Sequence, residues 1–400
     1  MNIQKTKNII LYIANLKVGG AERVVSTLSL NLPDHINRTV VISDIDNVCY
    51  DYKGTLLDLK TPQHLKWLYK IYPIHKLRKI KKENHIDATI SFIDGSNLKN
   101  IYSQILSKQK GKIIISVRNY PSKKDDELTK GLIKLFYNHA DWIVAITKSM
   151  KWDLVNNFYI DESKIKVIYN PCDVNWINQM ANEEIKEKEY KMIFSDSGPV
   201  IINVANFKES GQKGQWHLIR SFKKIVEEVP DAKLVFIGEG KLESYLKNLT
   251  KHSNLEKNIF FVGHQNNPFN FLRKGDIYVL SSLFEGLPNS ILEAMACGLP
   301  VVSTDCPSGP REILAPDTDF KKILKDNIEH AEYGVLTPVC DGKLYSEKDP
   351  LTNEEKLLAD SIIGLLNDSE LLKHYQNQSK KRANDFKPEE IVDEWLELIY

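Results

Sequence analysis

Four hundred residues, 42% hydrophobic and 27% charged with a net charge of +1, describe a globular chain too long for one ordinary core. Near-neutrality leaves no global field to gather nucleic acid, and no run reaches the roughly 18 apolar residues of a spanning helix. The five cysteines (Cys49, Cys172, Cys297, Cys306 and Cys340) form no C-x-x-C pair, which points to reduced thiols rather than disulfides or a zinc site.

The amino terminus is polar, and the apolar run after it is too short for a secretory leader, so a cytoplasmic location is expected. That run, residues 8–14, is strand-sized and ends at Lys17-Val18-Gly19-Gly20. Ala21, Val24, Val25, Leu28 and Leu30 then share roughly one helical face. Apolar runs follow at 39–42, 86–93, 112–117, 142–146 and 164–169; those at 86–93 and 112–117 are rich in β-branched residues and read as buried parallel strands. Residues 183–190 are charged and apolar-poor and read as a linker. The pattern then restarts, with strands expected at 200–204, 233–237, 259–262, 277–280 and 300–303 and helices between them, among them 215–228 and 240–249. Residues 388–400 alternate acids with Ile391, Val392, Trp395, Leu396, Leu398 and Ile399, an amphipathic last helix.

Repeated strand–helix units imply an α/β chain of two doubly wound parallel-sheet domains. The expected division is 1–180 and 181–378, with a helix in 379–400 crossing back to the first domain. Such sheets hold ligands at the carboxyl ends of their strands, which suits a reaction between two substrates, one in each half.

The most specific segment is residues 281–300, S-S-L-F-E-G-L-P-N-S-I-L-E-A-M-A-C-G-L-P. It reads as a strand end, a glycine-containing turn and a helix from about Asn289. Gly286 and Leu287 can aim backbone N–H groups at an anion, and the positive end of the helix adds to that. Glu285 falls in the turn beside such a ligand. Glu293, one turn into the helix, could reach a ribose diol. Gly298 ends the helix and Pro300 begins the next strand.

This segment resembles the E-x7-E motif of retaining family 4 glycosyltransferases, whose GT-B fold sets two Rossmann-like domains facing across a cleft. The resemblance runs over nearly the whole chain and is closest to bacterial enzymes of surface-polysaccharide and lipid-linked oligosaccharide assembly. It implies that Glu285 contacts the donor sugar and Glu293 the nucleotide ribose. Gly19-Gly20-Ala21-Glu22-Arg23 resembles the glycine loop of the family's first domain. Asn170-Pro171-Cys172-Asp173 resembles the turn before the second domain, either as an Asx-Pro turn or as a ligand contact.

Residues 203–214 resemble the family's diphosphate loop. There the family carries an arginine and then a lysine. Here Lys213-Gly214 matches, Asn206 holds the arginine's place, and Lys208 either supplies the missing cation or is solvated. Lys213 is therefore expected to stabilise the leaving group. Arg118, in Ile115-Ser116-Val117-Arg118, stands where many relatives carry a histidine. Arginine cannot act as a general base at neutral pH, but it could bind the diphosphate or an acceptor phosphate. Gly238 and the Val262-Gly263-His264-Gln265 segment match positions near the nucleotide, with backbone groups at His264 and Gln265 reading the base edge. Residues 306–314 resemble the family's G-x-x-E-I segment, and Gly334-Val335-Leu336 a later turn.

The resemblance implies transfer of a hexose or N-acetylhexosamine, with retention, from a nucleotide diphosphate sugar (UDP-linked) to a glycan hydroxyl on an acceptor carried by a polyprenyl diphosphate. The catalytic set is Lys213, Glu285 and Arg118, with Gly19, Gly20, Asp94, Asn97 and Arg118 on the acceptor side. No metal or other cofactor is expected. Asp44-Ile45-Asp46 and Asp317-Thr318-Asp319 have the D-x-D spacing of metal-dependent transferases, but neither sits in a matching context. The alternative is a catalytically weak subunit that binds glycans or nucleotide sugars. Residues 63–82 carry Lys66, Lys70, Lys76, Arg78, Lys79, Lys81 and Lys82 among aromatic and aliphatic residues, with no acid. This is either a solvated helix face or a peripheral contact with the anionic inner face of the cell membrane.

Overall fold

A computed structural model describes residues 6–17, 19–43, 45, 48–105, 110–124, 126–195 and 197–400, with the side chains of Leu65 and Lys66 outside the description. Val18, Asp44 and Asp46 of the motifs above lie outside the described residues. The chain divides into two compact units, one of residues 1–171 with 386–400 and one of residues 172–385.

The first unit is built on a seven-stranded sheet of β1 (Lys7–Ile13), β2 (Ile36–Ile42), β3 (Thr55–Asp58), β4 (Ala88–Phe92), β5 (Lys112–Val117), β6 (Trp142–Ala145) and β7 (Ile165–Val167). Their order is β3-β2-β1-β4-β5-β6-β7, and every pairing is parallel. Covered on both faces, the central strands read as continuous apolar runs; residues 9–13 are wholly buried. Strand β3 is the one the sequence does not announce. It sits at the edge, is half-exposed, and so carries no buried run.

Val24, Val25 and Leu28 of helix Gly20–Asn31 share one core with Ile391, Val392, Trp395, Leu398 and Ile399 of helix Pro388–Ile399. Leu77 and Ile80 of helix Tyr72–Glu83 pack against Ile10, Tyr12 and Val41. Connections leave β1 and β4 in opposite directions, so the ends of these two strands mark the switch point where such sheets take ligands. Gly19 follows β1, Asp94 follows β4, and Arg118 follows β5.

The second unit repeats the plan with β8 (Val200–Val204), β9 (Lys233–Ile237), β10 (Ile259–Phe261), β11 (Ile277–Leu280), β12 (Val301–Thr304), β13 (Glu329–Ala331) and β14 (Gly334–Thr337). Their order is β10-β9-β8-β11-β12-β14-β13, with β13 antiparallel to β14. The switch point lies between β8 and β11, which deliver the loop to Lys213 and the turn at Glu285. Residues 334–336, expected as a turn, are instead part of β14. Val335 and Leu336 are fully buried beside β12, and the turn itself falls at Glu332 and Tyr333.

Two boundaries differ from expectation. The first unit ends at Pro171, not at 180, because helix Val174–Ala181 packs into the second unit. Asp173 caps that helix through Trp176 N at 2.9 Å, Trp176 meets Phe269 edge-on, and Asn267 Nδ2 donates to Met180 O at 2.8 Å. Residues 183–190 thus lie inside the second unit rather than between units, and they run into a short helix, Lys188–Ile193. The returning segment begins at Phe386 rather than 379, because Arg382 is held by Ile313 O and Glu312 O. The helix expected at 240–249 spans Glu243–His252. Among the described residues no helix is long and apolar enough to cross a membrane.

Candidate functional site

In the second unit, the loop after β8 is fastened to the turn after β11. Leu283 N donates to Gln212 O at 2.8 Å, Gln212 Nε2 to Phe284 O at 2.9 Å, and Ser281 Oγ to Lys213 O at 2.9 Å. Gly214 then opens helix Gln215–Glu228 at φ +59, and a Cβ there would stand 2.3 Å from Ser281 O, so only glycine allows this approach. The result is that Lys213 projects onto Glu285.

Lys213 Nζ donates to Glu285 Oε1 at 2.6 Å, and Ser282 Oγ donates to the same oxygen at 2.6 Å. The Glu285 side chain is 6% exposed and that of Lys213 17%. Burying a carboxylate costs free energy unless partners of this kind complete it. Ser282 lies within the segment singled out above but received no role there. A serine at a strand end gives no sign of which way it points.

The turn is held from its other side by residues 305–309. Glu285 N donates to Pro307 O at 3.1 Å, and Ser308 Oγ to Gly286 O at 2.8 Å. Leu287 is buried, and Gly286 and Glu293 are half-buried. Helix Asn289–Ala296 starts as read, and Glu293 sits in its second turn. Burial raises the Tyr278 phenol pKa, and the fields of Glu285 and Glu293 add to the rise. Burial, and then the field of Glu285, hold the Cys306 thiol neutral.

Asn206 and Lys208 are exposed, and Asn206 O accepts from Gln215 Nε2 at 3.3 Å. Gly238 is buried at φ +146, where a Cβ would meet Ala205 O at 2.2 Å; this close approach binds the ends of β8 and β9. His264 is exposed, and Gln265 Nε2 donates to Val262 O at 2.7 Å. These residues follow β8, β9 and β10 in sheet order and form one rim beside the Lys213–Glu285 pair.

In the first unit, Gly19 is the N-cap residue of helix Gly20–Asn31, with no side-chain cap. Asp94 accepts from Tyr137 Oη at 2.7 Å and is ion-paired to Lys124, whose pKa burial lowers to about 8. Neither Lys124 nor Tyr137 was singled out from the sequence, since each lies far along the chain from Asp94. Ile93, just before it, is a β-branched residue at φ +70, and its carbonyl accepts from Ser96 N and Asn97 N to start the next helix.

Asn97 does not fit the acceptor role expected of it. It is fully buried, accepts from Ser91 Oγ and donates to Ser116 O, both at 2.9 Å, so it ties β4 to β5. Arg118 is also buried. Its Nη1 reaches Ser116 Oγ at 3.3 Å, its guanidinium lies over Phe92, and burial lowers its pKa to about 9.

Two family models match this chain, one described as Glycosyltransferase Family 4 over residues 18–176 and one as Glycosyl transferases group 1 over 184–333. A glycosyltransferase of Methanocaldococcus jannaschii is 39% identical over 361 residues, 87% of each chain. The chain is a family 4 glycosyltransferase. Another relative, the N-acetylgalactosamine-N,N'-diacetylbacillosaminyl-diphospho-undecaprenol 4-alpha-N-acetylgalactosaminyltransferase of Campylobacter jejuni, is 29% identical over 402 residues, 97% of this chain and 98% of that one. Anabaena HepE, solved with UDP and glucose, shares the fold at a TM-score of 0.77 and 16% identity, over 98% of this chain and 99% of that one.

In this glycosyltransferase Asp317-Thr318-Asp319 forms an exposed turn, with Asp319 Oδ1 accepting from Lys321 N. The basic segment is a 3-10 turn, Gln63–Leu68, followed by helix Tyr72–Glu83. Trp67, Tyr69 and Ile71 stand 76%, 59% and 52% exposed between them. Lys81 is not part of that surface. It is buried, and its Nζ donates to Asn100 Oδ1 at 2.7 Å and Ser103 Oγ at 2.8 Å. Cys172, Cys297, Cys306 and Cys340 are buried free thiols, and Cys49 is exposed.

Proposed function

We propose that the second unit of this glycosyltransferase binds a UDP-linked hexose or N-acetylhexosamine, and that the sugar passes with retention to a hydroxyl of a lipid-linked glycan held by the first unit. The observation that carries this reading is the buried Lys213–Glu285 pair at 2.6 Å beside the amino end of helix Asn289–Ala296. In the proposed reaction the bond from C1 to the phosphate oxygen breaks and a bond to the acceptor oxygen forms on the same face. The acceptor's proton goes to the departing phosphate oxygen. Lys213 supplies positive charge to that phosphate, Glu285 holds sugar hydroxyls, and Glu293 holds the ribose. Fixed charge of this kind is worth most where charge develops, and with Lys213 in place the reaction is proposed to need no metal. The lipid-linked acceptor is suggested by the diphospho-undecaprenol in the name of the Campylobacter relative.

The test is UDP release from a panel of UDP-sugars, with and without short prenyl-diphosphate glycans. Acceptor-dependent release with one sugar, product of retained configuration and no loss on chelation are expected. Binding of UDP-sugars without any release would reduce the protein to a scaffold.

Trp67, Tyr69 and Ile71 beside Lys70, Lys79 and Lys82 are proposed as a peripheral contact with the anionic inner face of the cell membrane, since aromatic and basic groups together suit that surface. Co-sedimentation with anionic but not neutral liposomes is expected, and its loss in W67A/Y69A would locate the contact.

A further inference from the structure

Two peptide planes decide the course of the Glu285 turn. In the first, Phe284 O accepts from Gln212 Nε2 at 2.9 Å and Glu285 N donates to Pro307 O at 3.1 Å. The carbonyl and N–H of a trans peptide point to opposite sides, so this plane is stretched between the loops that follow β8 and β12. The second plane joins Gly286 to Leu287. Glycine leaves its own dihedrals free, so the direction of that plane has to be set from outside. Ser308 Oγ sets it by donating to Gly286 O at 2.8 Å. The Leu287 N–H then points to the other side.

Ser308 does this at a conformational cost. It is 5% exposed and stands at φ +70, the left-handed region that glycine enters freely and other residues seldom do. Gly309, next along, is at φ +98, where a Cβ would stand 2.5 Å from Pro288 Cδ and 2.7 Å from Gly286 O. A glycine at 308 would relieve the cost, but it has no hydroxyl. The conformation is held from behind. Asp305 N donates to Thr337 O at 2.7 Å, and the Asp305 carboxylate accepts from Arg311 Nη2 at 2.6 Å and Nε at 3.1 Å. Arg311 is buried and also reaches Glu329 Oε2 at 3.1 Å. The loop of residues 305–311 is thus closed by one ion pair and fastened to β13 by another.

We propose that Ser308 is a positioning residue for the donor: a serine kept in a glycine's conformation, whose hydroxyl fixes the Gly286–Leu287 peptide and with it the turn that presents Glu285. That the turn meets a nucleotide sugar rests on the function proposed above. Ser308 acts through the turn and does not touch the ligand.

The test compares S308G and S308A with the wild type. Glycine removes the hydroxyl and the strain, alanine the hydroxyl alone, so S308G is expected to unfold at a higher midpoint than S308A. In both variants, amide hydrogen exchange across residues 284–288 is expected to quicken severalfold relative to the rest of the second unit. UDP, titrated calorimetrically, is expected to bind about tenfold more weakly to both. A serine that served stability alone would lose affinity and midpoint together, and the more stable S308G would bind UDP better than S308A. Equal losses of affinity at unequal midpoints are the mark of the hydroxyl. Wild-type exchange or wild-type UDP affinity in S308G overturns the proposal, and so does an affinity that follows the midpoint across the three proteins. If the wild type bound no UDP, the donor reading would fail by itself, while exchange across residues 284–288 would still decide for or against Ser308.

Discussion

Lys213 Nζ lies 2.6 Å from Glu285 Oε1, and the carboxylate is the more buried partner. The 17% exposure of the lysine side chain leaves it one side open to solvent. Replacing Lys213 with Met is expected to lower kcat about 10²–10³-fold, the usual loss when one fixed charge at a developing anion is removed. It also leaves a buried carboxylate with Ser282, at a cost of about 3 kcal/mol in unfolding free energy. K213M/E285Q should recover most of the stability and none of the activity. Urea unfolding and UDP release separate the two effects, and a double variant as unstable as K213M would break the argument.

Gly214→Ala tests whether the loop's path, and not only its charge, matters. The new Cβ would meet Ser281 O at 2.3 Å in a conformation that disfavours L side chains. A loss of about 1–3 kcal/mol is expected, with a higher KM for the nucleotide sugar because Lys213 is displaced. A variant with normal KM and normal melting would show that the loop tolerates another course.

Lys81 gives a pH dependence. Burial lowers its pKa from 10.5 to about 7. Between those two values the unfolded chain carries a proton that the folded chain lacks, so stability rises with pH across that window, by up to about 1.4 kcal/mol per unit. Below about pH 7 both states are protonated and the slope vanishes. Denaturant melts of wild type and K81M, compared as slopes between pH 7 and 10, should differ in this sense. Parallel curves would place the titration elsewhere.

Trp395 is 1% exposed in the core that helix Pro388–Ile399 shares with Val24 and Leu28. Trp395→Ala is expected to cost about 3–5 kcal/mol. The first unit should lose hydrogen-exchange protection while the second, whose core lacks this helix, keeps its own. Loss spread evenly over both units would contradict this.

Much of this arrangement was legible in the chain. Buried parallel strands advertise themselves as apolar runs, and strands 112–117, 200–204, 233–237 and 277–280 end where they were read. The segment around Glu285 was legible because its turn, helix start and glycine stop coincide within twenty residues. What escaped depends on facing and distance. Asn97 sits at the right place along the chain but turns into the sheet, and Lys124 and Tyr137 reach Asp94 from 30 and 43 residues away. Charge along residues 183–190 suggested a linker, yet the division of the chain follows the packing of Trp176 on Phe269. The basic run at 63–82 hid a lysine that is interior, because Asn100 and Ser103 belong to another helix.

The last fifteen residues complete the core of a unit whose other residues end at Pro171. A ribosome must add about 200 residues after that point before the missing helix emerges, roughly 10–40 s at ordinary elongation rates. Throughout that interval the apolar face of helix Gly20–Asn31 has no lid. The second unit, made from one uninterrupted stretch, can reach its native state first. The unit begun first is therefore the unit whose core is completed last.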